Sequence, residues 1–328
     1  MKPKLRIGVC GLGSIGFRHA RLLSKRIDVT IDLCDPSAER LNHAAELPNI
    51  DGRYPEFERL LEGRPDAVVI ASPDRWHVAQ SQAAAARGIP ILLEKPVAES
   101  AEAARPLLAA AEQVPILVGY MLHHVEVMGL ARELLDQNLI GTPLSFQLML
   151  GAYDTLIFAQ HRFSPSDRNV LFRDYTHEWD YLQWFLGPVK RTTATSRTAG
   201  DLERKQTPNL VDALLELDSG VTGTAHIDYV QMPSARRAFL IGDRGTLEIH
   251  AHTGALILRL YAEDGERHYS RIRHRDEPME RQLDHFFAVV RGEAKPCVSV
   301  ADGWRALAVA DAMIESAAGG QWVPVSRL

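Results

Sequence analysis

Short apolar runs alternate with stretches of helical period through the first 120 residues of the chain. Runs at 5–10, 29–34, 67–71, 90–93 and 115–119 read as strands, and segments near 15–26, 37–46, 55–63, 76–88 and 100–113 read as helices. Strands that are apolar throughout are buried on both faces, and strand–helix alternation builds βαβ units. The pattern predicts an α/β fold whose N-terminal domain, 1–121, carries a doubly wound parallel sheet. Beyond it the period changes. A helix near 124–138 leads through Gly141-Thr142-Pro143 into a strand near 144–150, and a helix near 175–186 closes on Gly187-Pro188. The loop between them is about twenty residues long, and loops of that length inside a domain are usually functional. Six β runs follow, at 189–198, 209–217, 221–230, 236–242, 245–250 and 255–262, punctuated by Gly220, Gly223, Asp243-Arg244-Gly245 and Asp264-Gly265. Helices at 279–291 and 301–317 finish the chain. Residues 122–328 therefore read as an α+β domain with a largely antiparallel open sheet, one face of it on its own helices.

The first strand meets its helix at Gly11-Leu12-Gly13-Ser14-Ile15-Gly16. In a GxGxxG turn the first glycine permits the tight bend, the second lets backbone approach a pyrophosphate, and the third lets helix and strand pack closely. The amides around Ser14 and Ile15 and the positive end of the helix then face the phosphates. The second strand ends in Asp35, nineteen residues past Gly16, where an acid can hold a ribose 2′-hydroxyl. Its charge would repel a 2′-phosphate, so NAD is expected in preference to NADP. The plainer role for Asp35 is a helix N-cap before Pro36. Ligands of parallel sheets sit at the carboxyl ends of the strands. Those ends carry Gly11, Asp35, Ser72-Pro73-Asp74 and Glu94-Lys95-Pro96. This is a Rossmann arrangement, and its expected cofactor contacts are Gly11, Gly13, Ser14, Ile15, Gly16, Asp35, Ser72, Pro73, His77, Glu94 and Lys95.

With 328 residues, 46% of them hydrophobic and 24% charged, the chain has the composition of a globular protein with two cores. A net charge of −5 argues against nucleic acid or an anionic membrane as the main partner. Arg271, Arg273, His274 and Arg275 form a compact basic cluster, expected to be a solvated strand or loop. Cys10, Cys34 and Cys297 are scattered, match no zinc spacing and suit free thiols in a reducing cytoplasm. No stretch has the length of a membrane span, and the N-terminus shows no signal-like segment. No metal site is expected: His123 and His124 are adjacent, so on a helix they face different directions.

Three further motifs complete the reading: Ala71-Ser72-Pro73-Asp74-Arg75-Trp76-His77, Glu94-Lys95-Pro96, and Asp174-Tyr175-Thr176-His177-Glu178-Trp179-Asp180. With the glycine motif, and in this order, they resemble the glucose–fructose oxidoreductase / inositol dehydrogenase / MocA family over nearly the whole chain. The resemblance implies a nicotinamide-binding N-terminal domain. It also implies a C-terminal sheet that mediates homodimers or homotetramers, and oxidation or reduction of a hydroxyl or ketone on a sugar, cyclitol or related substrate. Carried over by position, Lys95 is the family's lysine near nicotinamide and substrate, His177 the proton carrier, and Asp174 the acid beside it. The chain departs from the usual pattern in three places. The acid stands three residues before the histidine, with Arg173 four before. Asn169-Val170-Leu171-Phe172-Arg173 replaces a glycine-rich stretch. His123-His124 stands where an Arg-Phe pair is usual.

The residue chemistry supports the same roles. Oxidising a secondary alcohol needs a group to take the hydroxyl proton as hydride leaves, and histidine, with its ordinary pKa of ~6.5, suits it. A lysine beside it stabilises developing alkoxide charge. Residues three apart on one helix share a face, so Asp174 and His177 are expected to meet the substrate together; a plain N-cap is the alternative for Asp174. His77 is expected to pack under the cofactor loop rather than react. The loop from Tyr153 to Arg173 is expected to line the substrate cavity, with Tyr153, Arg162 and Arg168 as contacts. Two other functions stay open on the same fold: an NAD-dependent glycosidase, and a non-catalytic dinucleotide-binding regulator.

Overall fold

Leu5 to Cys10 form β1, and with β2 (Val29–Cys34) and β4 (Ala67–Ile70) on either side it is central to a six-stranded sheet. The sheet is completed by β3 (Ile50–Tyr54), β5 (Ile91–Leu93) and β6 (Ile116–Val118) in the order β3-β2-β1-β4-β5-β6, parallel throughout. Between the strands run α1 (Ser14–Ser24), α2 (Ala38–Ala44), α3 (Phe57–Glu62), α4 (His77–Ala85), α5 (Ala101–Ala104) and α6 (Pro106–Gln113). Ile7, Val9, Ile31, Leu33, Val68 and Val69 have no exposure, as expected for strands covered on both faces. The strand order reverses between β1 and β4, which is where ligands of such sheets bind.

Two elements differ from the sequence reading. β3 was not expected: its residues alternate between half-buried and exposed because it is an edge strand, so its apolar signal is diluted. The helix expected over 100–113 is interrupted at Arg105: the residue keeps helical dihedrals (φ −51°, ψ −42°), but Pro106 has no N–H to continue the hydrogen-bond ladder.

The computed structural model describes residues 4–158, 169–200, 208–252 and 255–328. They divide into two units, Met1–Tyr120 with Met279–Trp304, and Met121–Pro278 with Arg305–Leu328. Residues 279–304 join the first unit through several contacts. Val118 N–H donates to Val298 O at 3.1 Å, Arg26 pairs with Asp284 and lies over the Phe287 ring, and Arg105 lies over Trp304.

The second unit begins with α7 (Glu126–Asp136), β7 (Pro143–Gly151), α8 (Tyr153–Phe158), α9 (Val170–Asp174) and α10 (Thr176–Leu186). β8 (Val189–Arg197), β9 (Leu210–Leu217), β10 (Thr222–Asp228), β11 (Ala235–Gly242), β12 (Gly245–Ala251), β13 (Ala255–Ala262) and β14 (Gly265–Ile272) follow. α11 (Glu277–Val290), α12 (Val300–Gly319) and β15 (Val323–Pro324) end the chain. Nine strands make one sheet, β14-β13-β12-β11-β7-β10-β9-β8-β15, in which β7 and β10 are parallel and the other pairings antiparallel. Phe146, Leu148, Leu150, Leu215, Ile227 and Leu240 are buried on one face. The other face is more open and carries Gln147, Leu214, Thr222, Thr224 and Arg237.

Three expectations are corrected here. The long loop after β7 is interrupted by α8 and α9. β14 was missed because six of its eight residues are not hydrophobic, as an edge strand allows. The basic cluster is not simply solvated: Arg273 is buried, and Arg271 pairs with Glu126 and Glu277.

Candidate active site

The glycine turn is built as its spacing requires. Gly11 has φ +85°, and a Cβ there would lie 2.4 Å from Ser72 N. A Cβ on Gly16 would lie 1.6 Å from Gly11 O, so helix and turn touch only because residue 16 is glycine. At Gly13 the same test meets nothing within 4 Å, leaving open space on the side where backbone can approach a ligand. Gly13 is also the N-cap of α1, with no side-chain cap and no acid in the first turn, so the positive end of α1 at Ser14 and Ile15 is left for an anion.

Asp35, at the end of β2, is buried and accepts two backbone N–H groups: Leu12 at 2.7 Å and Ser37 at 2.9 Å. Arg40 Nη1 stands 3.7 Å from the same carboxylate. Ser37, not Asp35, is the N-cap of α2, its hydroxyl accepting from Arg40 N. The acid therefore ties the glycine turn to the end of β2, where a ribose hydroxyl would reach it. Open backbone at Gly13, an uncapped helix end and this carboxylate together fit a dinucleotide.

Two loops stand beyond the switch point. Ser72, followed by Pro73, donates its hydroxyl to Gln80 Oε1 at 2.6 Å. His77 opens α4 and joins the two loops, with Nε2 2.8 Å from Ser72 O and Nδ1 2.9 Å from Pro96 O. Burial holds its pKa below the ordinary histidine range, so the ring is neutral and donates to one of the two carbonyls. Glu94 directly follows β5; its Oε2 accepts the Lys95 N–H at 3.3 Å and its Oε1 lies 2.7 Å from His19 Nε2. Burial opposes ionisation of Glu94, but the His19 hydrogen bond and charge, with Lys95, hold its pKa below the usual carboxylate range. The eleven residues expected to contact cofactor thus all lie at the carboxyl ends of β1, β2, β4 and β5 or open the helix that follows.

In the second unit His177 is buried in the first turn of α10. Asp174 does not share that helix. It ends α9, and Tyr175 (φ −108°, ψ 31°) separates the two helices, so the shared-face argument for Asp174 and His177 does not apply. Tyr229 OH donates to Asp174 Oδ2 at 3.4 Å, and Tyr175 OH bonds Thr155 Oγ1 at 2.8 Å. Burial, with the Asp174 charge, pushes the Tyr175 hydroxyl well above its ordinary pKa and keeps it protonated. Tyr153 is half-buried at the start of α8, whereas Arg162 and Arg168 lie outside the described residues.

Two buried side-chain pairs absent from the sequence analysis hold α10. Arg236 Nε donates to Glu178 Oε1 at 2.6 Å, and His123 Nε2 lies 2.9 Å from Asp180 Oδ2. His123 also stacks on Trp184 at 4.0 Å between centroids. His123 is therefore a strap to α10. Among the described residues there is no group of three or more His, Cys, Asp or Glu that could hold a metal.

Comparison with known proteins decides the family. Residues 5–120 match the family model "Oxidoreductase family, NAD-binding Rossmann fold", and residues 132–325 match the C-terminal alpha/beta domain model of the same family. The chain belongs to the Gfo/Idh/MocA oxidoreductase family. It is an oxidoreductase with an NAD-binding Rossmann domain, of the dehydrogenase class that acts on CH–OH groups. It is 29% identical to the rhizopine catabolism protein MocA of Rhizobium meliloti, over 95% of each chain. It is 26% identical to the inositol 2-dehydrogenase of Rubrobacter xylanophilus, over 97% of this chain and 92% of that one. Among solved structures it is similar in fold to an Agrobacterium radiobacter oxidoreductase in complex with NAD+, L-tartaric acid and magnesium, with TM-score 0.85, 20% identity and 98% of each chain covered. A levoglucosan dehydrogenase in complex with NADH also matches, with TM-score 0.82, 18% identity, and 99% of this chain and all of that one covered. Among the described residues no helix is long and apolar enough to cross a membrane.

Proposed function

We propose that the enzyme moves a hydride between NAD and a secondary hydroxyl or ketone of a cyclitol, sugar or sugar-derived substrate, with His177 carrying the proton and Lys95 steadying the alkoxide. The observation that carries this reading is the position of Lys95 at the end of β5. Asp35 takes the adenosine ribose beside β2 and the α1 end takes the pyrophosphate, so the nicotinamide half falls on the side of β4 and β5. A cation there faces the charge that develops on substrate oxygen. When bound, NAD would accept the hydride from the carbinol carbon; His177 would take the hydroxyl proton and pass it to solvent, leaving the ketone. Asp174, held by Tyr229, adds a hydrogen bond to substrate, with Tyr153, Arg162 and Arg168 as further contacts. Names of relatives such as inositol 2-dehydrogenase and levoglucosan dehydrogenase support the substrate class.

The open face of the nine-stranded sheet is proposed as the surface that pairs copies into a homodimer or homotetramer. Its row Leu214, Thr224, Gln147 and Phe239 mixes apolar and polar groups as such interfaces do. Free thiols at Cys10, Cys34 and Cys297 support a cytoplasmic site of action. The deciding experiment measures NADH formation from myo-inositol, levoglucosan, aldoses and sugar acids, for the wild type and for Lys95→Met and His177→Ala. Each substitution is expected to lower kcat at least a hundredfold, and in His177→Ala, whose side chain serves substrate rather than the dinucleotide, the Kd for NAD should stay within about threefold. Near-normal turnover by His177→Ala would assign the proton to another group.

A further inference from the structure

His19 is a charged-capable side chain where the fold asks for an apolar one. It lies one turn past Gly16, on the face of α1 that buries Gly16, Ala20, Leu22 and Leu23 against the sheet, and it has no exposure. Burying an imidazole at such a position carries a desolvation cost that an alanine or leucine would avoid. Among the described residues the ring makes one hydrogen bond, Nε2 to Glu94 Oε1 at 2.7 Å, and its buried Nδ1 has no hydrogen-bond partner. An ionised carboxylate only accepts, so Nε2–H is the donor. A packing role would not select this arrangement, because it leaves half the ring's polar capacity unused.

What the bond does is visible at its other end. The Glu94 carboxylate is fixed on three sides: His19 at Oε1, the Lys95 N–H at Oε2, and Gly119, where a Cβ would lie 3.0 Å from the carboxyl carbon. Gly119 is itself anchored, its N–H donating to Leu93 O at 2.7 Å. Glu94 is thus a rigid bracket whose far arm is the backbone of Lys95. We propose that His19 is a positioning residue for the hydride-transfer step, setting the direction of Lys95 through Glu94 and coupling it to the helix whose N-terminus holds the pyrophosphate. This rests on the proposed role of Lys95. Without His19, Glu94 is a buried carboxylate that has lost its charge-assisted partner, and it must protonate or swing out, taking the 94–96 backbone with it. A displacement of about 1 Å at a catalytic group costs on the order of a hundredfold in rate.

The test compares His19→Leu, which removes the donor, with His19→Gln, which keeps one, and Glu94→Gln, which weakens the bracket from the other side. Circular dichroism melts establish that each variant is folded. The lysines are reductively methylated with 13C-formaldehyde in the NAD-bound enzyme, and the Lys95 resonance is assigned by its loss in Lys95→Met. His19→Leu and Glu94→Gln are expected to move or broaden that resonance, and His19→Gln to leave it near its wild-type position. On myo-inositol, or the polyol of the panel that turns over, His19→Leu should lower kcat about ten- to a hundredfold with KM for NAD within about threefold, and His19→Gln should recover most of the loss. The proposal is overturned if folded His19→Leu keeps the wild-type Lys95 resonance, if kcat stays normal, or if KM for NAD rises as much as kcat falls. Undiminished turnover in Lys95→Met sinks the catalytic reading of Lys95 instead, and the resonance still judges whether His19 places that side chain.

Discussion

Asp35 is expected to do two separable jobs, and substituting it should expose both. Its carboxylate accepts the Leu12 N–H inside the glycine turn and the Ser37 N–H at the start of α2. Hydrogen bonds to a charged acceptor contribute about 1.5–3 kcal/mol each. The Leu12 bond is buried and the Ser37 bond only partly so, and water can replace the second. Asp35→Ala should therefore cost about 2–4 kcal/mol, a Tm drop of roughly 5–15 °C for a domain of this size. Asp35→Asn, which keeps one acceptor, should lose about half as much. The second job is discrimination. A carboxylate about 5 Å from a 2′-phosphate repels it by about 1–3 kcal/mol at the effective dielectric of a surface cleft, a ten- to hundredfold preference for NAD. Loosening the glycine turn weakens both cofactors in Asp35→Ala, so the ratio of their affinities is the diagnostic. It should fall toward one, or invert, because Arg40 at 3.7 Å is left without its acid and is free to bind the phosphate. Fluorescence titration with NADH and NADPH measures the ratio, and calorimetry measures the stability. Tighter binding of NADPH than NADH by the wild type, or an unchanged ratio in Asp35→Ala, would refute the reasoning.

Gly16→Ala should abolish NAD binding, since its Cβ would lie 1.6 Å from Gly11 O and the turn must open; a titration showing affinity within threefold of wild type would contradict this. The Lys95→Met/His177→Ala double variant should lose less rate than the product of the single losses, as expected of groups serving one step, and steady-state kinetics check it. His226 lies between Asp228 at 2.9 Å and Asp212 at 2.6 Å, and the Asp228 hydrogen bond leads in pushing its pKa up to about 9. A raised folded-state pKa adds stability that is full below the unfolded value of ~6.5 and is lost as pH climbs through about 9. With the side chain 35% exposed, screening reduces the effect to about 1–2 kcal/mol, so the Tm advantage of wild type over His226→Gln should shrink between pH 6 and pH 9.5.

Where apolar runs are continuous and bounded, the chain declares its elements. β4, β5 and β6 are apolar and buried throughout, and in β1 and β2 the polar Arg6, Thr30 and Asp32 interrupt otherwise apolar runs without hiding them. β3 and β14 are edge strands with polar side chains, so their pairing comes from neighbours and not from their own pattern. The parallel pairing of β7 with β10 is likewise tertiary: the two strands are separated in sequence by three helices and two other strands, and no local period encodes it. At the site, the glycine turn, Asp35 and the 94–96 loop were legible because each is a contiguous motif whose geometry follows from residue type. The relation of Asp174 to His177 was misread for the same reason. Spacing of three implies a common face only inside one helix, and a break at Tyr175 is invisible to spacing.

The residues the sequence did not disclose share one feature: each is half of a pair whose other half is far along the chain. His19 meets Glu94 across 75 residues, His123 meets Asp180 across 57, and Arg236 meets Glu178 across 58. In every case one partner sits on or next to a motif the sequence did disclose, the 94–96 loop or the start of α10. Buried pairs of this kind add little net stability, because desolvation cancels most of the attraction. Their value is directional, since a charge-assisted hydrogen bond fixes an angle that apolar packing leaves loose. A hydride-transfer site needs its proton carrier and its cation held to within a fraction of an ångström. The pairs stand behind the 94–96 loop and the start of α10, the elements that carry the proposed cation and the proposed proton carrier, which is where directional support would have the greatest effect on rate.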